Sequence, residues 1–112
     1  MVTNYTPGRG DIIWIDFNPT RGHEQSSRRP ALVISPKVYN AKVGLALVCP
    51  ITSKIKDYPF EVRFSLNGTE GAILVDQIKS IDWKERHVQF CEKCDDEIVQ
   101  EVQYTLVEII SN

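Results

Sequence analysis

The chain has 112 residues, of which 42% are hydrophobic and 25% charged, values of one globular domain spanning 1–112 and not of a disordered polymer. Its net charge of −2 argues against a general nucleic-acid coat protein, although a local phosphate-binding groove depends only on the local field. No apolar run approaches the roughly 20 residues of a membrane span. The start, Met1-Val2-Thr3-Asn4-Tyr5, has no basic stretch leading into an apolar core, so no secretory signal and a cytoplasmic location are expected.

The first predicted element is a strand over Asp11–Phe17, which mixes β-branched and aromatic residues between Gly10 and Asn18-Pro19. A polar segment follows, Arg21-Gly22-His23-Glu24-Gln25-Ser26-Ser27-Arg28-Arg29-Pro30, and reads as a loop. It runs straight into Ala31-Leu32-Val33-Ile34, so a second strand is expected from Pro30 to Ser35. Pro30, lacking an N–H, suits its first position or an edge. A short helical turn over Val38–Lys42 precedes a third strand, Leu45–Thr52, apolar enough to be buried on both faces. After the polar loop 53–59, Phe60–Leu66 alternates apolar and polar, the pattern of a half-exposed antiparallel strand. Asn67-Gly68 is the strongest turn signal in the chain. Further short strands are expected at Ala72–Val75, Lys79–Trp83 and His87–Phe90. Asp95 or Asp96 then begins a helix of about fifteen residues, with acidic side chains over its positive end. Its stripe of Ile98, Val102, Leu106 and Ile109 faces the core, and Val99, Tyr104, Val107 and Ile110 widen the apolar surface toward a partner subunit. The sum is a β-rich α+β domain: a strongly curved antiparallel sheet, partly closed into a small barrel, with a C-terminal α-helix.

Charge is unevenly distributed. Residues 92–112 carry six acidic side chains against Lys93 alone, which leaves a mildly basic body. The acidic helix is therefore expected to stay clear of any polyanion. The three cysteines do not suggest a disulfide framework in a cytosolic chain. Cys49 reads as a small buried hydrophobe. Cys91 and Cys94 have CxxC spacing, but a zinc site needs further ligands, so they read as surface thiols near the helix start.

Three polar groups border the apolar strands, where a barrel normally places a site. The first is His23, Glu24, Gln25, Arg28 and Arg29; the second Thr52 and Ser53 leading into Lys54 and Lys56; the third Asp76, Gln77, Lys79 and Ser80. In an antiparallel sheet these points can meet on one rim. Each also has a plainer reading: strand-ending hydroxyls, turn-forming Asp and Gln, solvated lysines, a surface histidine. Arginine's planar fork matches phosphate. A carboxylate there repels phosphate, so Glu24 either pairs with an arginine or takes part in chemistry. No GxSxG, HExxH, P-loop or GxGxxG sequence is present, so an enzymatic reading works without a nucleotide cofactor and without metal.

Several blocks in order make the chain recognisable: Gly10–Phe17, Gly22 through Glu24-Gln25 to Arg29–Ser35, Cys49-Pro50-Ile51-Thr52-Ser53, Tyr58-Pro59-Phe60-Glu61-Val62 and Asp76–Trp83. Together they resemble the MazF/PemK family of toxin endoribonucleases from type II toxin–antitoxin modules. The resemblance covers nearly the whole chain; beyond about Arg86 it is only helical, and the cysteine pair lies outside it. It implies an SH3-like barrel of the CcdB/Kid/MazF kind, a homodimer, and cleavage of single-stranded RNA or mRNA at short motifs. It also implies a cognate MazE-like antitoxin whose extended C-terminal segment covers the RNA site, and operator DNA binding only as the toxin–antitoxin complex. No cofactor is implied. By position, Arg29 and Thr52 match the family's catalytic arginine and threonine, and Glu24 matches a loop carboxylate implicated in activity.

Metal-free RNA cleavage uses the neighbouring 2′-hydroxyl as nucleophile, leaving a 2′,3′-cyclic phosphate and a 5′-hydroxyl. The enzyme must align that oxygen, move protons and stabilise phosphate charge. Arg29 suits charge stabilisation, and its permanent protonation disqualifies it as a base. Thr52 can donate to phosphate. Glu24 is the expected base, with His23 a conceivable substitute. His23, Gln25, Arg28, Ser53, Lys54, Lys56, Gln77 and Lys79 are candidates for holding phosphates and bases. Tyr58 either stacks on a base or serves the core or an interface. The competing readings are a non-enzymatic toxin of the same fold that poisons DNA gyrase, and a module that holds RNA without cutting it.

Overall fold

The computed structural model describes residues 5–16 and 28–112. Seven strands, all paired antiparallel, form one curled sheet in the order β4-β5-β3-β2-β1-β7, with β6 also on β3. The strands are β1 (Asp11–Asp16), β2 (Arg28–Val33), β3 (Leu45–Thr52), β4 (Glu61–Leu66), β5 (Thr69–Leu74), β6 (Lys79–Asp82) and β7 (Gln89–Lys93). A short helix, α1 (Lys37–Val43), lies between β2 and β3, and α2 (Asp96–Ser111) ends the fold. The result is the expected half-barrel with a C-terminal helix.

The sheet curls because β3 serves two neighbours along one edge. Its first half, Leu45–Val48, pairs with β6, and Ile51–Thr52 pairs with β5. Pro50 falls between these two stretches, a place where a missing N–H interrupts neither of them. Most residues of strands β1 to β3 are buried, on both faces, so alternate residues feed two cores. Ile12, Leu32, Cys49 and Ile51 pack with Val62, Ile73 and the inner face of α2, whose Val99 and Val102 are buried. Ile13, Ile15, Val33 and Val48 pack on the other side with Ile81 and Trp83. Tyr104, Val107 and Ile110 of α2 stay exposed.

Several boundaries differ from the sequence expectation for identifiable reasons. β2 begins at Arg28, because Asp16↔Arg28 and Ile15↔Arg29 continue the β1 ladder past Pro30. β3 pairs with β2 only from Ala31 onward, so Pro30 does sit where one edge is open. β5 begins at Thr69, since the two-residue turn, with φ of +52° at Asn67 and +79° at Gly68, sets Leu66 directly opposite Thr69. The β7 strand runs to Lys93, and Cys91 is the extra residue of a bulge against Ile12 and Ile13. The thiols are therefore not a surface pair before the helix: Cys91 lies within β7, and Cys94 is buried beneath α2.

One buried polar residue stitches the α1 side together. Asn40 is fully buried; its amide donates to the carbonyls of Pro7 (2.7 Å) and Ser35 (3.1 Å) and its side-chain oxygen accepts from Ser35 Oγ (2.5 Å). Ser35 Oγ accepts in turn from the Leu47 N–H (2.9 Å), and the Trp83 indole donates to the Asn40 carbonyl (3.1 Å). These bonds satisfy groups that water does not reach.

Candidate active site

The β2–β3 register decides which residues meet. Ala31 pairs with Pro50; continued by two residues, the same register sets Arg29 level with Thr52. On the other side Thr52 pairs with Ala72 of β5. The three strands and the β4–β5 hairpin enclose a cleft of about 620 Å³. Arg29, Thr52, Ser53 and Lys54 form its polar end, Trp14, Ile51, Phe64 and Leu66 its apolar surface, and Asn67, Thr69 and Glu70 its hairpin wall. A cleft of this size takes a ligand of nucleotide dimensions.

Thr52 Oγ1 accepts a hydrogen bond from the Lys54 N–H (3.1 Å). That bond occupies a lone pair and leaves the hydroxyl proton for a ligand in the cleft. Gly71 lies against the backbone of the same residue: a Cβ there would stand 2.9 Å from the Thr52 carbonyl oxygen, so only glycine lets β5 approach so closely. Arg29 is exposed, and among the described residues no acceptor holds its guanidinium.

Arg28 is placed quite differently. Its Nη1 pairs with Asp16 Oδ1 at 2.7 Å, and its Nη2 donates to the His87 carbonyl (3.1 Å) and to Gln89 Oε1 (3.0 Å). Asp16 Oδ2 meets His87 Nδ1 at 3.2 Å, and the Asp16 carbonyl accepts from Arg86 Nη1 (3.1 Å). The hydrogen bond from Arg28 holds the Asp16 carboxyl below its ordinary range, against a smaller opposing effect of burial. A lowered folded-state value means that the pairing stabilises the fold fully above the unfolded carboxyl value near 4, and that the gain is lost as pH falls further. Asp16→Asn is therefore expected to cost about 1 kcal/mol at pH 7. The gap to wild type should close toward pH 3, as urea denaturation at the two pH values will show.

The remaining candidates divide between the cleft and its surroundings. Ser53 and Lys54 line it. Lys56 does not: its N–H is bound by the Glu61 carboxylate (3.0 Å), which also accepts from the Asp57 N–H (2.9 Å) and so folds the 53–59 loop. Tyr58 donates its hydroxyl to Asp76 Oδ1 and meets Phe60 edge-on, and the hydrogen bond to Asp76 pushes its phenol up to about 12. Gln77, in the 3-10 turn Val75–Gln77 after β5, and Lys79 of β6 lie outside the cleft lining. His23, Glu24 and Gln25 lie outside the described residues. Burial pushes the Cys49 thiol up to about 12 and Cys94 to about 11, and raises Cys91 as well, so these groups are protonated and unsuited to nucleophilic attack at neutral pH. Among the described residues no three His, Cys, Asp or Glu side chains converge as a metal-holding group.

Sequence reasoning did not single out Trp14 or the β4–β5 hairpin. A signal existed for each. Trp14 stands between Ile13 and Ile15 in a strand whose alternation turns one residue outward, and it is 37% exposed where they are fully buried. The hairpin's apolar face, Phe64 and Leu66, was visible in the alternation of β4.

Proteins similar to this chain include endoribonuclease toxins. The chain is 51% identical over 86 residues to the endoribonuclease toxin MazF of Escherichia coli strain K12, covering 77% of this chain and 78% of that one. It is 34% identical over 110 residues to the endoribonuclease PemK of Escherichia coli, covering 92% and 81%. The structure of MazF from Deinococcus radiodurans superposes with a TM-score of 0.85 at 39% identity, covering 97% of this chain and 100% of that one. A MazE–MazF structure from the same organism gives 0.84 at 35%, covering 96% and 98%. Residues 8–110 match the model of the PemK-like, MazF-like toxins of type II toxin–antitoxin systems, and the chain belongs to that family.

Proposed function

We propose that the protein is an endoribonuclease toxin that cleaves single-stranded RNA by attack of the 2′-hydroxyl on the adjacent phosphate, without a metal ion, and so halts translation in the cytoplasm. The observation that carries this reading is the shared cleft of Arg29 and Thr52. One supplies a permanent bidentate cation and the other a hydroxyl donor, the pair that a phosphate gaining charge in the transition state requires. Lys54 and Ser53 extend the polar end along the RNA backbone, and the apolar surface beside it receives an unstacked base. Glu24 takes the proton of the attacking 2′-hydroxyl; as the new 2′-oxygen–phosphorus bond forms, the phosphorus–5′-oxygen bond breaks and the departing oxygen takes a proton from water, giving a 2′,3′-cyclic phosphate and a 5′-hydroxyl. His23 and Gln25 complete the substrate contacts from the same segment. The protein acts as a homodimer, in keeping with the exposed apolar side chains on α2. A MazE-like antitoxin restrains it by laying its C-terminal segment over the cleft, a reading supported by the MazE–MazF complexes among similar structures. Operator DNA is bound by that complex and not by the toxin alone. No described helix is long and apolar enough to cross a membrane.

The test is incubation of the purified protein with a long natural RNA in EDTA, with the ends mapped by primer extension. Discrete cuts are expected, with 5′-hydroxyl ends. Strong inhibition by EDTA that added metal reverses would overturn the metal-free mechanism. Intact RNA with folded protein would overturn the ribonuclease reading and make DNA gyrase the next target to assay.

A further inference from the structure

We propose that Asp16, clasped to Arg28 and His87, is a positioning residue that aims Arg29 into the cleft. The inference rests on the ribonuclease reading above. Asp16 and Arg28 form the last described rung of the β1–β2 ladder, at the two ends of segment 17–27. Both carboxylate oxygens of Asp16 are used, one on Arg28 Nη1 (2.7 Å) and the other on His87 Nδ1 (3.2 Å). Its backbone is held as well: its N–H donates to the Arg86 carbonyl (3.1 Å) and its carbonyl accepts from Arg86 Nη1 (3.1 Å). The second nitrogen of Arg28 spans to the His87 carbonyl and Gln89 Oε1. The positive φ of His87, +53°, marks the tight turn that presents this carbonyl and ring together. The end of β1, the start of β2 and the β6–β7 turn are thereby tied at one point.

The tie bears on catalysis through strand geometry. Adjacent residues of a strand project to opposite faces. A guanidinium held at Arg28 on one face fixes the peptide plane that sends the next side chain, Arg29, to the other face, level with Thr52, and Arg29 and Thr52 border the cleft together with Trp14 and Pro30 of Arg28's own face. Without the clasp, the start of β2 is paired only with β1, because β3 joins it from Ala31 onward. A loosely held arginine still attracts RNA but meets the transition-state geometry less often, and losses of this kind appear in kcat. The clasp also explains why two adjacent arginines do different work: both terminal nitrogens of Arg28 are engaged, and among the described residues those of Arg29 are not.

A double-mutant cycle on Asp16→Asn and Arg28→Gln tests this, with kcat and KM measured on a short single-stranded RNA after wild-type cleavage has been established. Each single variant should lower kcat about tenfold or more with KM changed less than about twofold. The double variant should be no worse than either single one. Amide exchange at Arg29, read without RNA, should quicken in Asp16→Asn while that of Ile13 stays as in wild type. If Arg28 instead touches RNA phosphate, Arg28→Gln will raise KM and lower the salt dependence of binding by about one ion, and the two effects will add. That result, or unchanged kcat in Asp16→Asn, overturns the proposal. A wild type that cuts no RNA overturns the underlying reading instead, and is seen before any variant is compared.

Discussion

Replacing Arg29 with alanine should reduce RNA cleavage by about a hundredfold to a thousandfold while leaving thermal unfolding within a degree or two of wild type. The rate loss is the size seen when one donor aimed at a developing oxyanion is removed. Fold retention follows from placement. Arg29 is exposed and near the start of β2, and no described residue depends on its guanidinium for a hydrogen bond. Because the phosphate gains charge as the 2′-oxygen attacks, the loss should fall mainly on kcat, with KM moved less. Arg29→Lys should recover only part of the rate, since an ammonium supplies charge without the two-pronged geometry. Single-turnover cleavage of a short RNA, with circular dichroism melts of the same preparations, measures both halves. Wild-type rates in Arg29→Ala would remove this residue from the chemistry, and a collapsed melt would show that the side chain supports the fold.

Asn40→Ala should have the largest effect on stability, about 3 kcal/mol, lowering Tm by about 10 °C or more. The substitution strips hydrogen bonds from the Pro7 carbonyl, the Ser35 hydroxyl and the Ser35 carbonyl in a place closed to water. Each buried group left unpaired costs about 1–3 kcal/mol, and the lost amide leaves a small void besides. The segment before β1, the turn after β2 and α1 are all held through this residue, so the damage should be cooperative. Urea denaturation with a linear extrapolation gives the figure directly. A loss below 1 kcal/mol would mean that water enters and replaces the amide.

Elements with strong local signals were legible in the sequence. The alternation of β4 and the Asn67-Gly68 turn are such cases, because a two-residue hairpin with both central φ angles positive has few sequence solutions. The final helix was equally plain from its apolar stripe and acidic start, and it runs over Asp96–Ser111. Arg29 and Thr52 were picked out by resemblance, and the cleft they share was not visible in either local segment. β7 and the cysteines were misplaced because a bulge adds one residue to a strand without leaving a composition signal.

Arg28 and Arg29 show where sequence reading stops. They are adjacent, chemically identical and equally suited to phosphate, yet one is tied to Asp16 and the other faces the cleft. Local periodicity, backbone preference and ordered blocks of residues were enough to read the element types, the antiparallel class, the turn at Asn67-Gly68 and the family. Which arginine faces the cleft, the room Gly71 leaves for Thr52, and the walling of the site by Trp14 and the β4–β5 hairpin all come from contacts between distant segments. Strand register is the physical reason: a shift of one residue sends every side chain to the opposite face, and register is set by long-range pairing that no local segment encodes.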